Sequence, residues 1–283
     1  MNKIYIVGVG LIGGSMALDL RVSNPNITIV GIDSNREHLA KAKTKGIIDA
    51  ESTIGEIKNA DVIILAIPVD NALVTLPKIL DNVEVTTLVL DVGSTKQKIC
   101  NLVSKHRNRR NFLASHPIAG TEFSGPNAAI NNLFKNKTNI VCEVEKTAFK
   151  LQERALKLFS ILGMRIRYMD AKSHDKHLAY VSHLSHISSF MLGKTVINEE
   201  KNEKDIFDLA GSGFESTVRL AKSSPAMWTP IFSHNKTNVV EALDAYIDNL
   251  KHFRGLLASD SFPSVYQEME NTNTIKTILK GIE

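Results

Sequence analysis

One histidine of this sequence stands at the junction between a short apolar run and a rigid loop. His116 follows the run 112–115, and Pro117 and Gly120 restrict the chain after it. In an open α/β sheet, ligands bind beyond the carboxyl ends of the strands, so we expect this imidazole to face a ligand. A neutral imidazole there accepts a proton from a hydroxyl group while hydride leaves the same carbon. The alternative is a histidine with a purely structural role.

Two other segments are predicted to reach the same edge of the sheet. Ala66 and Pro68 close the run 62–67, and a proline there forms a rigid wall that suits a nicotinamide ring. The run 87–91 leads through a glycine into Ser94, at the start of a helix. Ser94 is therefore a candidate to contact the cofactor or to orient another side chain, and helix capping alone is an equally weighted alternative.

A glycine-rich turn near the amino terminus has the chemistry of a pyrophosphate cradle. Its letters G-V-G-L-I-G match the fingerprint G-x-G-x-x-G, follow an apolar run and open a helical pattern. Asp33 ends the next apolar run, where a carboxylate accepts hydrogen bonds from ribose hydroxyls and repels a 2′-phosphate. The predicted cofactor is NAD, and the alternative is a glycine turn of another α/β protein. The candidate cofactor-binding residues are Gly8, Gly10, Leu11, Ile12, Gly13, Asp33, Ala66, Pro68 and Ser94.

These segments need a sheet to bring them together, and the apolar runs predict one. Continuous apolar runs alternate with helical patterns over the first 170 residues, which is typical of a doubly wound parallel sheet buried on both faces. The fold class predicted is α/β, with a Rossmann-type domain over residues 1–171. The predicted strands are 4–7, 27–32, 62–67, 87–91, 112–115, 140–144 and 165–169.

The rest of the chain is predicted to be helical. Helical spacing dominates from residue 173 onwards, with long stretches at 174–198 and 237–257. We therefore expect an all-helical domain over residues 172–283. Such long helices carry more apolar surface than a small domain covers by itself, so a homodimer interface is expected there.

Composition and charge argue against several other classes of protein. The 283-residue chain has a net charge of +4 with its lysines and arginines scattered, whereas nucleic-acid binders usually concentrate such charge in one stripe. A modest positive charge would also suit a small anionic substrate. The chain begins without a signal-peptide pattern, its longest apolar run is too short to cross a bilayer, and its 2 cysteines lie far apart. A cytoplasmic protein without a membrane partner is expected.

Four histidines lie close together at positions 174, 177, 183 and 186, a density that suggests a metal site. On one regular α-helix they fall at about 0°, 300°, 180° and 120° around the axis. Because no common face collects all of them, no metal is expected. His177 is predicted to be a surface residue, and His174 and His183 are predicted to join a polar network.

Several motifs in order along the chain define a family resemblance. The segments are 8–15 (GVGLIGGS), 91–94 (DVGS), 116–125 (HPIAGTEFSG), 174–175 (HD), 182–186 (SHLSH), 211–214 (GSGF) with Arg219, and 224–228 (SPAMW). Together they closely resemble the prephenate dehydrogenases of the tyrosine pathway. The resemblance covers almost the whole chain, and its most specific part is the extended motif that begins with His116.

The resemblance implies NAD-dependent oxidative decarboxylation of prephenate to 4-hydroxyphenylpyruvate. His116 would take the proton of the ring hydroxyl, and Ser94 would orient His116 beside the nicotinamide. Arg219 would clamp a substrate carboxylate, and Glu122 would gate access. The implied catalytic residues are His116 and Ser94, and the implied substrate-binding residues are Arg219, His186, Thr121, Glu122 and Gly213.

Two alternatives to this function stay open on the sequence. Arogenate dehydrogenase belongs to the same class, and the sequence offers no clean discriminator from it. A non-catalytic NAD-binding module belongs to a different class, against which His116, Ser94 and Arg219 argue.

Regulation and some loop details are less fixed by the resemblance. Glu215, Ser216 and Pro230 depart from the usual family pattern, so details of an interface or a gate differ. The chain ends at Glu283, which leads us to expect neither a fused mutase nor a regulatory domain. Inhibition by tyrosine, if it occurs, is then expected at the active site.

Overall fold

The computed structural model describes residues 1–203 and 205–280, with the side chain of Lys280 excepted. The chain end at Glu283, on which the expectation about further domains rests, lies outside the described residues. The chain divides into two compact units, residues 1–236 and the remainder from Thr237. The predicted domain boundary near residue 171 lies inside the first unit, two residues after the last strand of the sheet ends at Met169.

An eight-stranded sheet forms the centre of the first unit. Its strands follow the order β3-β2-β1-β4-β5-β6-β7-β8, the arrangement of a doubly wound sheet in which the strand order reverses between β1 and β4. The predicted α/β Rossmann-type fold is confirmed. The strands are β1 (Lys3–Val7), β2 (Thr28–Ile32), β3 (Ala50–Glu51), β4 (Val62–Leu65), β5 (Leu88–Asp91), β6 (Phe112–Pro117), β7 (Thr138–Cys142) and β8 (Arg165–Met169).

Two features of the sheet differ from the prediction. Strand β3 was not predicted, because it has only 2 residues and both are exposed, so it carries no apolar run. Strand β7 pairs antiparallel with β6, whereas a parallel sheet was expected. The segment 118–137 between them contains no α-helix, and a parallel neighbour needs a long crossover connection, so the chain turns back instead.

Burial on both faces explains why the inner strands of the sheet are continuously apolar, unlike the exposed edge strands β3 and β8. In β1, Ile4 and Ile6 pack into the cluster on one face of the sheet, and Tyr5 and Val7 pack into the cluster on the other. Alternate residues of a strand point to opposite faces, so every position must be apolar when both faces are covered. The same apolar pattern leaves only the strand ends for polar chemistry.

The helices cover these faces and continue beyond the sheet. Those of the first unit are α1 (Leu11–Ser23), α2 (Arg36–Thr44), α3 (Val69–Asn82), α4 (Gln97–Leu102), α5 (Phe149–Ile161), α6 (Ala171–Leu178), α7 (Leu184–Glu200), α8 (Ser212–Val218) and α9 (Pro225–His234). A π-helical turn, Ala179–His183, joins α6 to α7. The predicted helix 174–198 therefore exists, but it contains this irregular turn.

The second unit is helical, as predicted. It contains most of α10 (Lys236–Ala258), then α11 (Phe262–Thr272) and α12 (Ile275–Lys280). Leu250, Phe262 and Tyr266 are among the large apolar side chains that stay exposed on these helices. No helix among the described residues is long and apolar enough to cross a membrane.

Candidate active site

In the glycine turn between β1 and α1, Gly8 and Gly13 let the protein's own backbone pack closely, whereas Gly10 faces open space. A Cβ on Gly8, where φ is +95°, would lie 2.3 Å from the carbonyl oxygen of Ala66, and one on Gly13 would lie 2.1 Å from that of Gly8. Above Gly10 the nearest atom to a Cβ is the nitrogen of Gly125, at 3.9 Å. Gly10 also begins α1 without a side-chain cap, so the first N–H groups of the helix suit an anion.

Asp33 lies beside this turn at the end of β2. Its carboxylate accepts hydrogen bonds from the backbone N–H groups of Val9, at 3.2 Å, and Asn35, at 2.9 Å. The imidazole of His38 lies 3.7 Å away. The residues present therefore fit an adenine dinucleotide, with a glycine cradle for the pyrophosphate and a fixed carboxylate for the ribose.

The other predicted cofactor residues border the same sheet edge. Leu11 and Ile12 lie half-buried in the first turn of α1. Ala66 donates its N–H to the carbonyl of Val7 at 2.7 Å, which ties the loop after β4 to the glycine turn. Pro68 precedes α3 and is exposed, and Ser94 is half-buried in the loop after β5. Their contacts with a cofactor stay predictions.

A buried lysine fixes the loop between β5 and α4. Lys96 is fully buried, and its ammonium group forms an ion pair with Asp91 and donates a hydrogen bond to the carbonyl of Ser115 at 2.7 Å. The hydroxyl of Ser115 donates to the carbonyl of Asp91 at 3.0 Å. These bonds hold the ends of β5 and β6 together, next to His116.

His116 heads a chain of hydrogen bonds that runs into the protein. Its Nδ1 lies 2.9 Å from Nε2 of His174, and Nδ1 of His174 lies 2.8 Å from Oδ1 of Asp175. The carboxylate of Asp175 also accepts the backbone N–H groups of Lys96, at 2.8 Å, and Gln97, at 3.0 Å. The partner of Nδ1 of His116 is thus His174. The role that the resemblance implies for Ser94, which is to orient His116, stays a prediction.

A second histidine joins this network through Asn235. The amide nitrogen of Asn235 donates to the carbonyl of Asp175 at 2.6 Å and lies 3.2 Å from Nδ1 of His183. His174 and His183 are both buried. The prediction that these two histidines join a polar network is confirmed.

Burial keeps the histidines of the site uncharged. It holds the pKa of His116 well below the ordinary 6.5, and any positive charge on His174 or Lys96 acts in the same direction. Burial also lowers the pKa of His174, against the opposing effect of Asp175, and lowers the pKa of His183 to about 4. At neutral pH, His116 therefore has a free imidazole lone pair, as a general base requires.

The helical side of the site presents aromatic and charged groups. His186 stacks on Trp228 with ring centroids 3.5 Å apart. Trp228 is buried, and its indole N–H has no hydrogen-bond partner among the described residues. Burial lowers the pKa of His186, and the charge of Arg219 lowers it further. Arg219 is half-exposed and pairs with Glu122 at 3.1 Å.

The remaining residues named from the sequence have described contacts outside the hydrogen-bond network of His116. Thr121 accepts a hydrogen bond from the N–H of Phe123 at 3.3 Å. Gly213 is exposed in α8, and its carbonyl accepts the hydroxyl of Ser216 at 2.9 Å. Glu215 pairs with Lys222 at 3.5 Å. Pro230 lies inside α9.

Asp175 and Lys96 were not predicted to take part in the site, yet they hold it together. Asp175 was visible in the sequence only as the neighbour of His174 in one motif, and Lys96 only as the basic residue after the Ser94 turn. Asp175 and Lys96 can be buried because each finds its partners in the folded structure. The periodicity of apolar residues in the sequence does not reveal such partners. Among the described residues, no group of three or more His, Cys, Asp or Glu side chains is placed to hold a metal ion.

Comparison with known proteins identifies the class. The family model described as "Prephenate dehydrogenase, nucleotide-binding domain" matches residues 16–168, and "Prephenate dehydrogenase, dimerization domain" matches residues 170–271. The chain is 32% identical over 274 residues to the prephenate dehydrogenase of Bacillus subtilis, which covers 94% of this chain and 73% of that protein.

Solved structures give the same result. The prephenate dehydrogenase of A. aeolicus, in complex with hydroxyphenyl propionate and NAD+, superposes with a TM-score of 0.90 at 32% identity, covering 99% of this chain and 98% of that one. The arogenate dehydrogenase of Synechocystis gives a TM-score of 0.77 at 28% identity, covering 98% and 99%.

The fold and the site define a nucleotide-dependent dehydrogenase. The chain belongs to the prephenate dehydrogenase family. The predicted family and enzyme class are confirmed, in place of the non-catalytic alternative. The predicted cofactor, NAD, is the one bound in the A. aeolicus relative.

Proposed function

We propose that this enzyme oxidatively decarboxylates prephenate to 4-hydroxyphenylpyruvate with NAD as the oxidant, a step of tyrosine biosynthesis. The observation that carries the proposal is His116, which lies at the carboxyl end of β6 with its Nδ1 bonded to His174 at 2.9 Å. The fold that carries this neutral base matches that of the A. aeolicus prephenate dehydrogenase over almost the full chain.

The chain offers a site for NAD at the glycine turn. Gly8, Gly10 and Gly13 would admit the pyrophosphate, with the first turn of α1 at Leu11 and Ile12 beside it, and Asp33 would bind the adenosine ribose. Ala66, Pro68 and Ser94 would border the nicotinamide. When bound, NAD supplies the hydride acceptor of the reaction.

His116 is the proton acceptor in this proposal. Its Nε2 would hydrogen-bond the hydroxyl on the ring carbon of prephenate and take the proton as that carbon loses its hydride. The bond to the ring carboxylate then breaks, carbon dioxide leaves, and the electron pair aromatises the ring. The oxygen, now phenolic, takes the proton back from His116, so the products are 4-hydroxyphenylpyruvate, carbon dioxide and NADH.

The helical side would recognise the substrate. Arg219 would bind one of the two carboxylates of prephenate through its planar guanidinium group, in place of Glu122. His186, fixed on Trp228, would contact the substrate beside it. Thr121 and Gly213 would line the approach. We assign these roles within a nucleotide-binding domain of residues 1–171 and a helical domain of residues 172–283, a division that the two family models support.

Arogenate is the second candidate substrate. It carries an ammonium group and a tetrahedral carbon where prephenate has a ketone. The likeness to the Synechocystis arogenate dehydrogenase over 98% of the chain favours this candidate. The higher identity to the B. subtilis prephenate dehydrogenase favours prephenate, which is our first choice.

The assembly and location follow from the same comparison. The dimerization-domain match and the exposed apolar helix faces support a homodimer. Both cysteines are buried free thiols, which suits the reducing cytoplasm. Tyrosine, which resembles the product, would compete at the substrate site.

Activity assays with each combination of substrate and cofactor test the proposal. NADH or NADPH formation is followed with prephenate or arogenate as substrate, and NAD or NADP as cofactor, beside a His116→Asn variant. We expect turnover of prephenate with NAD and a loss of about 10²- to 10⁴-fold in kcat for the variant. Preference for arogenate would change only the substrate. Measurable NAD binding without turnover of either substrate would overturn the proposal.

A further inference from the structure

We propose that His174 and Asp175 are positioning residues which fix the tautomer of His116, so that its Nε2 is always the nitrogen that accepts the proton. The inference rests on the proposed role of His116 as the base. It adds a defined hydrogen-bond chain that runs from the carboxylate of Asp175 through His174 to His116.

The direction of this chain is set at Asp175. The backbone N–H groups of Lys96 and Gln97 donate to its carboxylate, so those bonds have a fixed direction. An ionised carboxylate has acceptors only, so the proton in the bond at 2.8 Å must come from Nδ1 of His174. Neutral His174 then has a lone pair on Nε2.

The second link follows from the first. Nε2 of His174 lies 2.9 Å from Nδ1 of His116 and, as an acceptor, requires a proton there. A neutral imidazole carries one proton, so Nε2 of His116 must hold the lone pair. The opposite tautomer of His116 would leave two lone pairs facing each other in the interior, which is costly.

The surrounding charges suit this arrangement. Lys96 and Asp91 neutralise each other in their ion pair, and His183 is held neutral by burial. Asp175 is the carboxylate bonded directly to His174, at 2.8 Å. When His116 takes the substrate proton, its positive charge lies at one end of a hydrogen-bond chain whose other end is this carboxylate.

Asp175 also links the base to the cofactor side of the site. The two N–H groups that it accepts belong to residues directly after the Ser94–Thr95 turn, and its own carbonyl accepts the amide of Asn235 at 2.6 Å. The carboxylate that sets the tautomer thus also fixes the loop proposed to border the nicotinamide. One side chain therefore positions both this loop and, through His174, the imidazole of His116.

Two substitutions of His174 separate the links of the chain. Gln extends its side-chain oxygen about as far as Nε2 and can still accept from His116, whereas Asn reaches only as far as Nδ1 and can bond Asp175 alone. We expect His174→Asn to lower kcat on prephenate about 100-fold and His174→Gln to recover most of that loss, with KM for NAD unchanged in both.

Nitrogen-15 NMR of the imidazoles, with the full-length protein and NAD but without substrate, supplies a readout apart from activity. We expect wild-type His116 to show a single tautomer with the proton on Nδ1, and His174→Asn to show a mixture. The acid limb of the kcat profile should also move to lower pH in His174→Asn, because the imidazolium of His116 loses its acceptor.

The outcomes distinguish this inference from the proposed function. If His174→Asn and His174→Gln lose equal thermal stability while kcat, the acid limb and the tautomer of His116 stay as in the wild type, the positioning role is overturned. If His116→Asn retains wild-type turnover, the role of His116 itself fails, whatever His174 does. A single Nε2-protonated tautomer in the wild-type protein would overturn the proposed direction of the chain.

Discussion

The two sides of the active site are built in opposite ways. On the sheet side, the residues around His116 are buried, and Lys96, Asp175 and His174 are each bonded to several groups. On the helical side, Arg219 is half-exposed, its described ion pair is to Glu122 alone, and the indole N–H of Trp228 has no described partner. One side is already complete, and the other leaves groups available to a ligand.

The difference follows what each side has to do. Proton transfer requires a base with a fixed orientation and charge. Buried, hydrogen-bonded groups are already in place and need not rearrange during the reaction. Recognition of a dicarboxylate requires charged groups that exchange one partner for another, so they remain near water. Substitutions on the sheet side should therefore change stability and kcat, whereas those on the helical side should change KM.

The largest effect is expected for the buried ion pair. Lys96→Met would leave Asp91 as an uncompensated buried charge and should lower the free energy of unfolding by about 3–5 kcal/mol. Urea denaturation measures the loss. Lys98→Met, two positions along but on the exposed face, is the matched control and should change the stability by less than about 0.5 kcal/mol. Equal effects of the two substitutions would contradict the comparison.

The next effect is the pH dependence that His183 gives to stability. The unfolded imidazole has a pKa of 6.5 and the folded one about 4, so the unfolded chain binds more protons between these values. The stabilising contribution is complete above pH 6.5 and is lost as pH falls towards 4, by roughly 3 kcal/mol in all.

Urea titrations at several pH values above and below 6.5 measure how steeply the free energy of unfolding depends on pH. His183→Gln should flatten it by about 1.4 kcal/mol per pH unit, while His177→Gln on the exposed face of α6 should leave it unchanged. An unchanged slope in His183→Gln would show that the buried network does not depend on neutral His183.

A smaller effect is expected on the helical side. Arg219→Lys keeps the positive charge but loses the planar fork, so KM for prephenate should rise about tenfold, or roughly 1.4 kcal/mol, with kcat nearly unchanged. Steady-state kinetics at saturating NAD measure both parameters. Arg165→Lys, on the exposed edge strand β8, is the control. A fall in kcat with constant KM would place Arg219 among the groups that act in the chemical step.

The smallest effect is expected for the partner of Arg219. Glu122→Gln releases the guanidinium group from a half-exposed ion pair, which is worth at most about 1 kcal/mol, so KM for prephenate should fall by up to about fivefold. The difference from the wild type should shrink at high salt. Glu215→Gln, which breaks only the pair with Lys222, should have no effect on KM. A rise in KM for Glu122→Gln would show that Glu122 itself binds the substrate.

The sequence predicts the sheet side of the fold better than the geometry of the histidines. The apolar runs predict seven strands, of which all but the exposed edge strand β8 are mostly buried, and the ends of these strands locate the glycine turn, Ser94 and His116. The regular-helix wheel separates His174 and His186 by about 120°. The π turn inserts one residue between them, which rotates the following residues back and brings the two to within about 20°.

The pairing of the buried charged residues could not be predicted from the sequence either. Asp175 and Lys96 look like ordinary polar residues at helix starts, because nothing in their spacing reveals that β5, β6 and α6 bring them together. His174, 58 positions away from His116 in sequence, is the partner of Nδ1 of His116, and nothing in the spacing of the two residues indicates this contact. The orienting role of Ser94 stays a prediction.

The pH profile of kcat/KM for prephenate, with saturating NAD, tests the central claim that a half-buried, neutral His116 is the base. Because the pKa of His116 lies well below 6.5, we predict that the rate stays level as pH falls through 6.5 and declines only at lower pH. His116→Asn should lose this acid limb together with most of the activity. An acid limb at or above 6.5 in the wild type, or one that persists in His116→Asn, would contradict the account.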